Sequence, residues 1–409
     1  MRNLHLDWHW VRDRLLVVFP LLCLAFYLAI WGHWLLTVYN PRGGYPLGQD
    51  FSYCWSAATL AWQGEAGAVY DYARLAALER AHFGVNALLP WLYPPTYLLL
   101  LLPFGLLPYH AALAVWLGAT LSGYLFIIRR IAPHPRTIWL ALAFPGIFMN
   151  LFYGQNGFLS GIFLGGGLLL LDRSPGAAGL LLALLTYKPH LAVLVPLALA
   201  AGRCWRALLA MVAGTAALTL AATLALGTQP WVAFISHIFT AVKTLEAGGL
   251  KIFLIMSSVS SAVLLRGGGA VSAGLLQGAT MLIAASMVVW VWRRGAAPPI
   301  GCAALVLGIL LFVPYSFVYD LALLALPLAW LGWDGHTRGW LPGEKTCLAL
   351  GWLTPLVAPL LAQAASLQIS PLIIGALMYL ALRRAAHEFP SRTLAPKMMG
   401  PGVKTSQPG

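Results

Sequence analysis

Residues 15–38 read LLVVFPLLCLAFYLAIWGHWLLTV, an apolar stretch long enough to cross a bilayer as one helix. Comparable apolar runs recur along the chain as far as residue 382. Of the 409 residues, 60% are hydrophobic and only 9% are charged, whereas soluble domains carry about 25% charged residues. This composition predicts an all-α polytopic membrane protein. It excludes a soluble enzyme, a disordered chain and a dedicated nucleic-acid binder.

The formal net charge of +13 comes from 25 basic and 12 acidic residues. In a membrane protein, basic residues gather on cytoplasmic loops and set the orientation, and this interpretation is favoured over nucleic-acid binding. Arg2, Arg12 and Arg14 precede the first apolar stretch, so the N-terminus is predicted to be cytoplasmic. No small-residue cleavage site follows that stretch, which is therefore expected to remain as helix one.

The charge pattern predicts about twelve crossings with both termini inside. The segment 96–107 is short enough to be re-entrant, so it and 110–128 are counted as one net crossing. The other crossings are predicted at 137–152, 157–171, 175–187, 190–202, 206–227, 270–292, 298–314, 319–333, 347–363 and 367–383.

A single membrane domain over 1–409 is expected, with two outer segments at 40–92 and 228–269 and a disordered cytoplasmic tail at 385–409. Each outer segment contains an amphipathic stretch that predicts a helix lying in the membrane interface, at 71–87 and 231–245. The first places Glu79 among its polar positions. The second places His237 opposite its apolar stripe, where an interfacial polar role is favoured over catalysis.

Two acids are surrounded by aromatic and apolar residues. Asp50 lies in GGYPLGQDFSYCWSAATLAW (43–62) and Asp320 lies in VPYSFVYDLALLALP (313–327). Each could cap the N-terminus of a helix, and each could carry chemistry at the outer face. Both interpretations stay open at this point.

Three polar clusters are also predicted at the outer face, at 92–96, 153–157 and 187–190. Lys188 in the last of these is typical of a lysine that snorkels to the interface, and a phosphate partner is the alternative. The five cysteines are far apart without a C-x-x-C pair, and no metal-ligand motif is present, so no metal, zinc or disulfide site is predicted.

Four collinear segments together resemble glycosyltransferase family 87, a bacterial family of multi-spanning enzymes with the GT-C fold. The segments are DFSYCWSAATLAWQGEAGAVYD (50–71), LPWLYPPTYLLLLLPFGLLPY (89–109), FYGQNGFLSGIFLGGGLLLLDRSPGAAGLLLALLTYKPHLAVLVPLAL (152–199) and PYSFVYDLALLALP (314–327). The family includes polyprenol-phosphate-mannose-dependent mannosyltransferases. Two departures bear on the sugar: His190 stands where members usually have glutamine, and no histidine accompanies the late outer cluster. The resemblance therefore leaves the sugar open between mannose and another hexose or pentose.

The resemblance implies that Asp50 is the general base of an inverting transfer from a polyprenyl-phosphate sugar to a glycolipid or glycan hydroxyl. The transfer would occur on the periplasmic face of a bacterial inner membrane, among membrane lipids, without a cofactor or nucleic acid. The residues expected to bind the donor phosphate or sugar are Lys188, His190, Gln155, Asn156, Tyr93, Tyr53 and Trp55, and secondary candidates are Asp320, Tyr319, Tyr315 and His237. Three alternatives are a secondary transporter, a non-catalytic scaffold, and a ligase or polymerase acting on undecaprenyl-diphosphate glycans.

Overall fold

The computed structural model describes residues 8–37, 46–84, 90–247 and 249–393. Over these ranges the chain forms helices and no strand. The α-helices are α1 (Trp8–Thr37), α2 (Gln49–Trp62), α3 (Tyr72–Phe83), α4 (Pro95–Gly105), α5 (Tyr109–Ile131), α6 (Thr137–Leu142), α7 (Pro145–Tyr153), α8 (Gly157–Leu170), α9 (Pro175–Leu184), α10 (Pro189–Ala192), α11 (Leu194–Ala201), α12 (Trp205–Leu226), α13 (Gln229–Ala247), α14 (Leu250–Leu254), α15 (Val259–Leu265), α16 (Ala270–Arg293), α17 (Pro298–Phe312), α18 (Ala325–Arg338), α19 (Glu344–Ala365) and α20 (Ser370–Thr393). Three 3₁₀ helices join them at Ala66–Tyr70, Leu185–Tyr187 and Val318–Leu324.

Five of the described helices are long and apolar enough to cross a membrane: the Val18–Thr37 part of α1, and α5, α12, α16 and α19. Their outward side chains are apolar and exposed, as Leu224 (78%) and Leu282 (72%) illustrate, which suits contact with lipid. These helices support a membrane protein. The twelve crossings stay a prediction, because the other apolar helices of the described ranges, such as α8 and α17, have only 10–17 residues.

Prolines divide several of the predicted crossings. The stretch 137–152 forms two helices, since Pro145 starts α7 and its missing N–H cannot continue α6. Pro189 starts α10 in the same way, and the residue before a proline is disfavoured in the helical region. Lys188 accordingly adopts φ −117° and ψ 82°. The lysine therefore lies at a break between two apolar helices, with its backbone outside both.

Helix α17 forms the centre of the molecule. Eleven of its fifteen residues are buried, and a helix that is apolar on all sides is expected in an interior. It packs against α16, α18 and α20.

A buried ion cluster joins the ends of α18, α19 and α20. The Arg384 guanidinium donates to Glu344 Oε1 through Nε (2.7 Å), to Asp334 through Nη1, and to the Gly339 carbonyl through Nη2 (2.9 Å). All three charged side chains are buried. Removing one member of such a cluster leaves the others unpaired, so the cluster holds these helix ends together.

The two amphipathic helices form, with shifted bounds. The first is α3, which begins after Asp71; this carboxylate caps it by accepting from the Ala73 N–H at 2.9 Å. The second is α13, on which Val232 (67%), Ile235 (66%) and Phe239 (76%) are exposed. An exposed apolar face of this kind fits the membrane interface.

The predicted tail starts too early. Helix α20 continues to Thr393, and Ala385 within it is buried. The rest of the predicted tail, 394–409, lies outside the described residues, as do 85–87 of the first predicted interfacial helix.

Candidate active site

One cleft of about 500 Å³ collects polar side chains from elements far apart in the sequence. Helices α2 and α3 form part of its wall, together with the α7–α8 turn, the break before α10 and the segment around the 3₁₀ helix Val318–Leu324. Nine of the predicted site residues line it: Asp50, Tyr53, Tyr93, Gln155, Lys188, His190, Tyr315, Tyr319 and Asp320. The structure thus brings these residues to one space.

Asp50 lies in the first turn of α2 but does not cap it. The N-cap residue is Gly48, which makes no side-chain cap, so the capping interpretation of Asp50 is wrong. Its Oδ2 instead accepts a hydrogen bond from Gln155 Nε2 at 2.5 Å. Burial in the cleft raises the pKa of Asp50 to about 6, against the lowering effect of the Gln155 amide. A carboxylate with such a pKa is ionised at neutral pH and accepts protons readily.

Two glycines bring Asp50 and Gln155 together. Gly48 precedes α2 with φ +63°, and Gly154 ends α7 with φ +71°, both in the left-handed region. A Cβ on Gly154 would lie 2.7 Å from Phe51 Cβ and 3.2 Å from Gly48 Cα. Because side chains would clash at this contact, glycine lets the end of α7 touch the start of α2. Gln155, the next residue after Gly154, is thereby placed beside Asp50.

Lys188 and Asp320 form an ion pair at the cleft. Lys188 Nζ lies 2.7 Å from Asp320 Oδ1, and the side chains are 2% and 1% exposed. Asp320 is not the N-cap residue predicted from the sequence: Phe317 holds that position, and Asp320, three residues later, accepts from the Phe317 N–H through Oδ2 at 3.1 Å. The ammonium lies 4.9 Å from the centroid of the Tyr319 ring. Lys188 is therefore a buried, paired cation, and not a snorkelling anchor.

Asn156 does not line the cleft but contacts a residue that does. Its side-chain amide donates to the hydroxyls of Tyr93 (2.9 Å) and Tyr97 (3.2 Å), and the residue is 1% exposed. Tyr187 donates to the Asn156 carbonyl at 3.0 Å. Asn156 thereby fixes the orientation of Tyr93, which does line the cleft.

Two other predicted site residues lie away from the cleft. The Trp55 indole is buried in the core and donates to the Leu107 carbonyl at 2.9 Å, so it cannot stack on a sugar in the cleft. His237 is exposed on α13, with Nδ1 2.9 Å from the Ala233 carbonyl; the next residue, Ile238, lines the cleft instead.

Glu79 is a cleft residue that the sequence pattern missed. The pattern predicts it on the solvated side of an interfacial helix, but its side chain is 3% exposed. Burial raises its pKa to about 7, the Ser52 hydroxyl lowers it, and the nearby Asp50 carboxylate raises it further. The signal that could have found it is helical spacing: Glu79 follows the fully buried Leu75 by four residues and shares its face.

The family model of glycosyltransferase family 87 matches residues 91–314, more than half of the chain. The chain belongs to glycosyltransferase family 87. Curated proteins and solved structures give no match to this glycosyltransferase. The matched region includes Tyr93, Gln155 and Lys188 but begins after Asp50 and ends before Asp320, so the place of the two acids in the family-87 site rests on geometry.

Among the described residues of this family-87 member, no group of three or more His, Cys, Asp or Glu side chains could hold a metal ion. The acidic and basic side chains that line the cleft are Asp50, Glu79, the Lys188–Asp320 pair and His190.

Proposed function

We propose that this glycosyltransferase moves one sugar from a polyprenyl-phosphate carrier to an acceptor hydroxyl, with inversion and with Asp50 as general base. The observation that carries the proposal is that Asp50 and the Lys188–Asp320 pair open into one cleft. A base and a cation at one cavity are what a displacement with a phosphate leaving group requires.

In this reaction the acceptor oxygen attacks the anomeric carbon and forms the new glycosidic bond. The bond from that carbon to the carrier phosphate breaks, and its electron pair leaves with the phosphate. The acceptor proton passes to Asp50, whose Oδ2 is held by Gln155. Such a base contributes roughly 10²–10⁴-fold to the rate. A single displacement inverts the configuration at the anomeric carbon.

Lys188 and His190 are proposed to receive the phosphate. The Lys188 ammonium carries three donors, of which Asp320 accepts one at 2.7 Å, so donors remain for a phosphate oxygen. His190 is exposed to the cleft two residues later. Negative charge grows on the leaving phosphate during the reaction, and a fixed cation lowers the barrier.

An apolar wall supports a lipid-linked donor. Ile238 of α13, Ile252 of α14 and Ile255 line the cleft. The outer side of α13 is itself apolar and exposed, as expected of a helix in the interface. A polyprenyl chain can leave the cleft along this wall into the bilayer. We place this face at the periplasmic side of a bacterial inner membrane, with both termini cytoplasmic.

The donor class is tested with the purified protein in lipid nanodiscs. Labelled hexoses and pentoses are offered on polyprenyl phosphate, on nucleoside diphosphates and as undecaprenyl-diphosphate glycans, with total membrane lipids as acceptor. We expect label to move from a polyprenyl-phosphate sugar only. Transfer from a nucleotide sugar would contradict the proposal, and transfer from a diphosphate glycan would indicate a ligase or polymerase instead.

The rate is expected to fall as the pH drops through about 6, because Asp50, with a pKa of about 6, must be ionised to accept a proton. Gln155→Leu removes the hydrogen bond that lowers this pKa, so the acid limb of kcat/KM moves to higher pH. The measurement is a pH profile of transfer for both proteins. Glu79→Gln is the control, because it removes the other carboxyl of the cleft whose pKa is raised by burial. If the acid limb of Gln155→Leu stays at the wild-type pH, the limb does not report the ionisation of Asp50.

A further inference from the structure

Glu79 is a buried carboxyl that the displacement does not use. It extends from α3 to the same cleft as Asp50 and is 3% exposed. Ser52 Oγ lies 3.3 Å from its Oε1, and this is the one polar side-chain contact that Glu79 makes within the described ranges. The single hydrogen of the Ser52 hydroxyl is also directed to the Gln49 carbonyl, at 2.8 Å. A carboxyl offers about four lone-pair sites. One long hydrogen bond therefore leaves most of this capacity for a ligand in the cleft.

The packing of α3 does not require this carboxyl. Asp71 caps the helix, and Leu75 buries its apolar face completely. On the exposed side, Arg74 pairs with Glu65 at 2.7 Å. Burying a carboxyl costs free energy unless it is well paired, so Glu79 is poorly explained as part of the fold alone.

The position of Glu79 indicates which substrate it meets. Helix α2 carries both Asp50 and Ser52, so the base and the Glu79 contact share one wall. Lys188 comes from a different element, the break before α10. In a single displacement the nucleophile and the leaving phosphate lie on opposite sides of the anomeric carbon, and the base lies beside the nucleophile. The wall formed by α2 and α3 is then the acceptor side.

We propose that Glu79 binds a hydroxyl of the acceptor and that the α2–α3 wall is a subsite for a carbohydrate. Naming this ligand the acceptor rests on the proposed function, whereas the binding of a carbohydrate does not. With a pKa of about 7, the carboxyl is partly protonated at neutral pH and can donate as well as accept a hydrogen bond.

The test measures binding, so that it does not depend on any donor. The full chain in nanodiscs is titrated with methyl glycosides of the common hexoses and pentoses, and binding is read by saturation-transfer NMR. We expect at least one glycoside to bind. Glu79→Ala should weaken it about tenfold or more, as the loss of a buried hydrogen bond to a ligand does. Glu79→Gln, which can still donate and accept, should stay within about threefold.

A monodeoxy series of the bound glycoside locates the contact. One analogue should bind the wild type more weakly than the parent does, and should bind Glu79→Ala as well as the parent does. Ser52→Ala is the matched test of a structural role, because it removes the Glu79 partner and keeps the carboxyl. If Glu79 only joins α3 to α2, Ser52→Ala will weaken binding as much as Glu79→Ala, and the proposal is overturned.

Three further outcomes bear on this proposal. Asp50→Asn should keep glycoside binding while it loses transfer, which separates a failure of the proposed function from a failure of this subsite. Equal affinity of the wild type and Glu79→Ala for every glycoside, or no binding of any glycoside by the wild type, would refute the role of Glu79.

Discussion

Asp50→Asn is expected to lower sugar transfer at least about 100-fold, within the range that a general base contributes. The amide cannot take the acceptor proton, but it has the same size as the carboxylate. It can therefore keep a contact with Gln155, whose Nε2 lies 2.5 Å from Asp50 Oδ2 in the wild type. The loss should therefore appear in kcat, with little change in thermal stability. The measurement is initial-rate transfer of labelled sugar from the preferred polyprenyl-phosphate donor.

The control for this variant is Asp172→Asn, which removes an exposed acid in the turn after α8, away from the cleft. It should transfer sugar at the wild-type rate. Equal rates for Asp50→Asn and the wild type would remove Asp50 from the mechanism and direct attention to Asp320.

The second large effect is expected when the Lys188–Asp320 ion pair is broken. Lys188→Met leaves the Asp320 carboxylate buried without its cation, and breaking a buried pair costs about 3–5 kcal/mol of unfolding free energy. The same variant removes the proposed phosphate ligand, and losing one such donor typically costs about 10²–10³-fold in rate. Stability is followed by tryptophan fluorescence during heating, and activity by transfer.

The double variant Lys188→Met/Asp320→Asn divides these two effects. Asparagine is neutral and can still accept from the Phe317 N–H, which Asp320 now binds at 3.1 Å. Most of the lost stability should return, but transfer should stay low because no cation meets the phosphate. Recovery of wild-type transfer by the double variant would mean that the pair serves the fold alone. Lys345→Met, an exposed lysine on α19, controls for charge and should behave as wild type.

The helical membrane class could be predicted from the sequence because long apolar runs with scarce charge are rarely compatible with another fold class. The bounds of the helices could not be predicted where prolines interrupt those runs. Pro145 splits one predicted crossing into α6 and α7, and hydropathy does not register such a break. The number of crossings depends on short helices, and their position in a bilayer cannot be assigned from length alone.

The site could be predicted in part, for a related reason. Asp50 stood out as an acid among aromatic residues, but its partner Gln155 follows 105 residues later. The Lys188–Asp320 pair spans 132 residues, and periodicity carries no information on such distances. Glu79 was missed because the polar side of an isolated amphipathic helix looks solvated in sequence, and only the packing of α3 on α2 buries it.

The contact between Gly48 and Gly154 has a consequence for how this enzyme can change its substrate. The pairing of Asp50, the proposed base, with the Gln155 amide depends on two backbone segments in contact, and neither Tyr315 nor Tyr319 takes part in it. Tyr315 or Tyr319 could therefore be exchanged to suit another sugar while the pKa of the proposed base is kept. Under the proposed mechanism, sugar selectivity and proton transfer are separately adjustable, and Tyr315 and Tyr319 are the residues at which to redesign the donor preference.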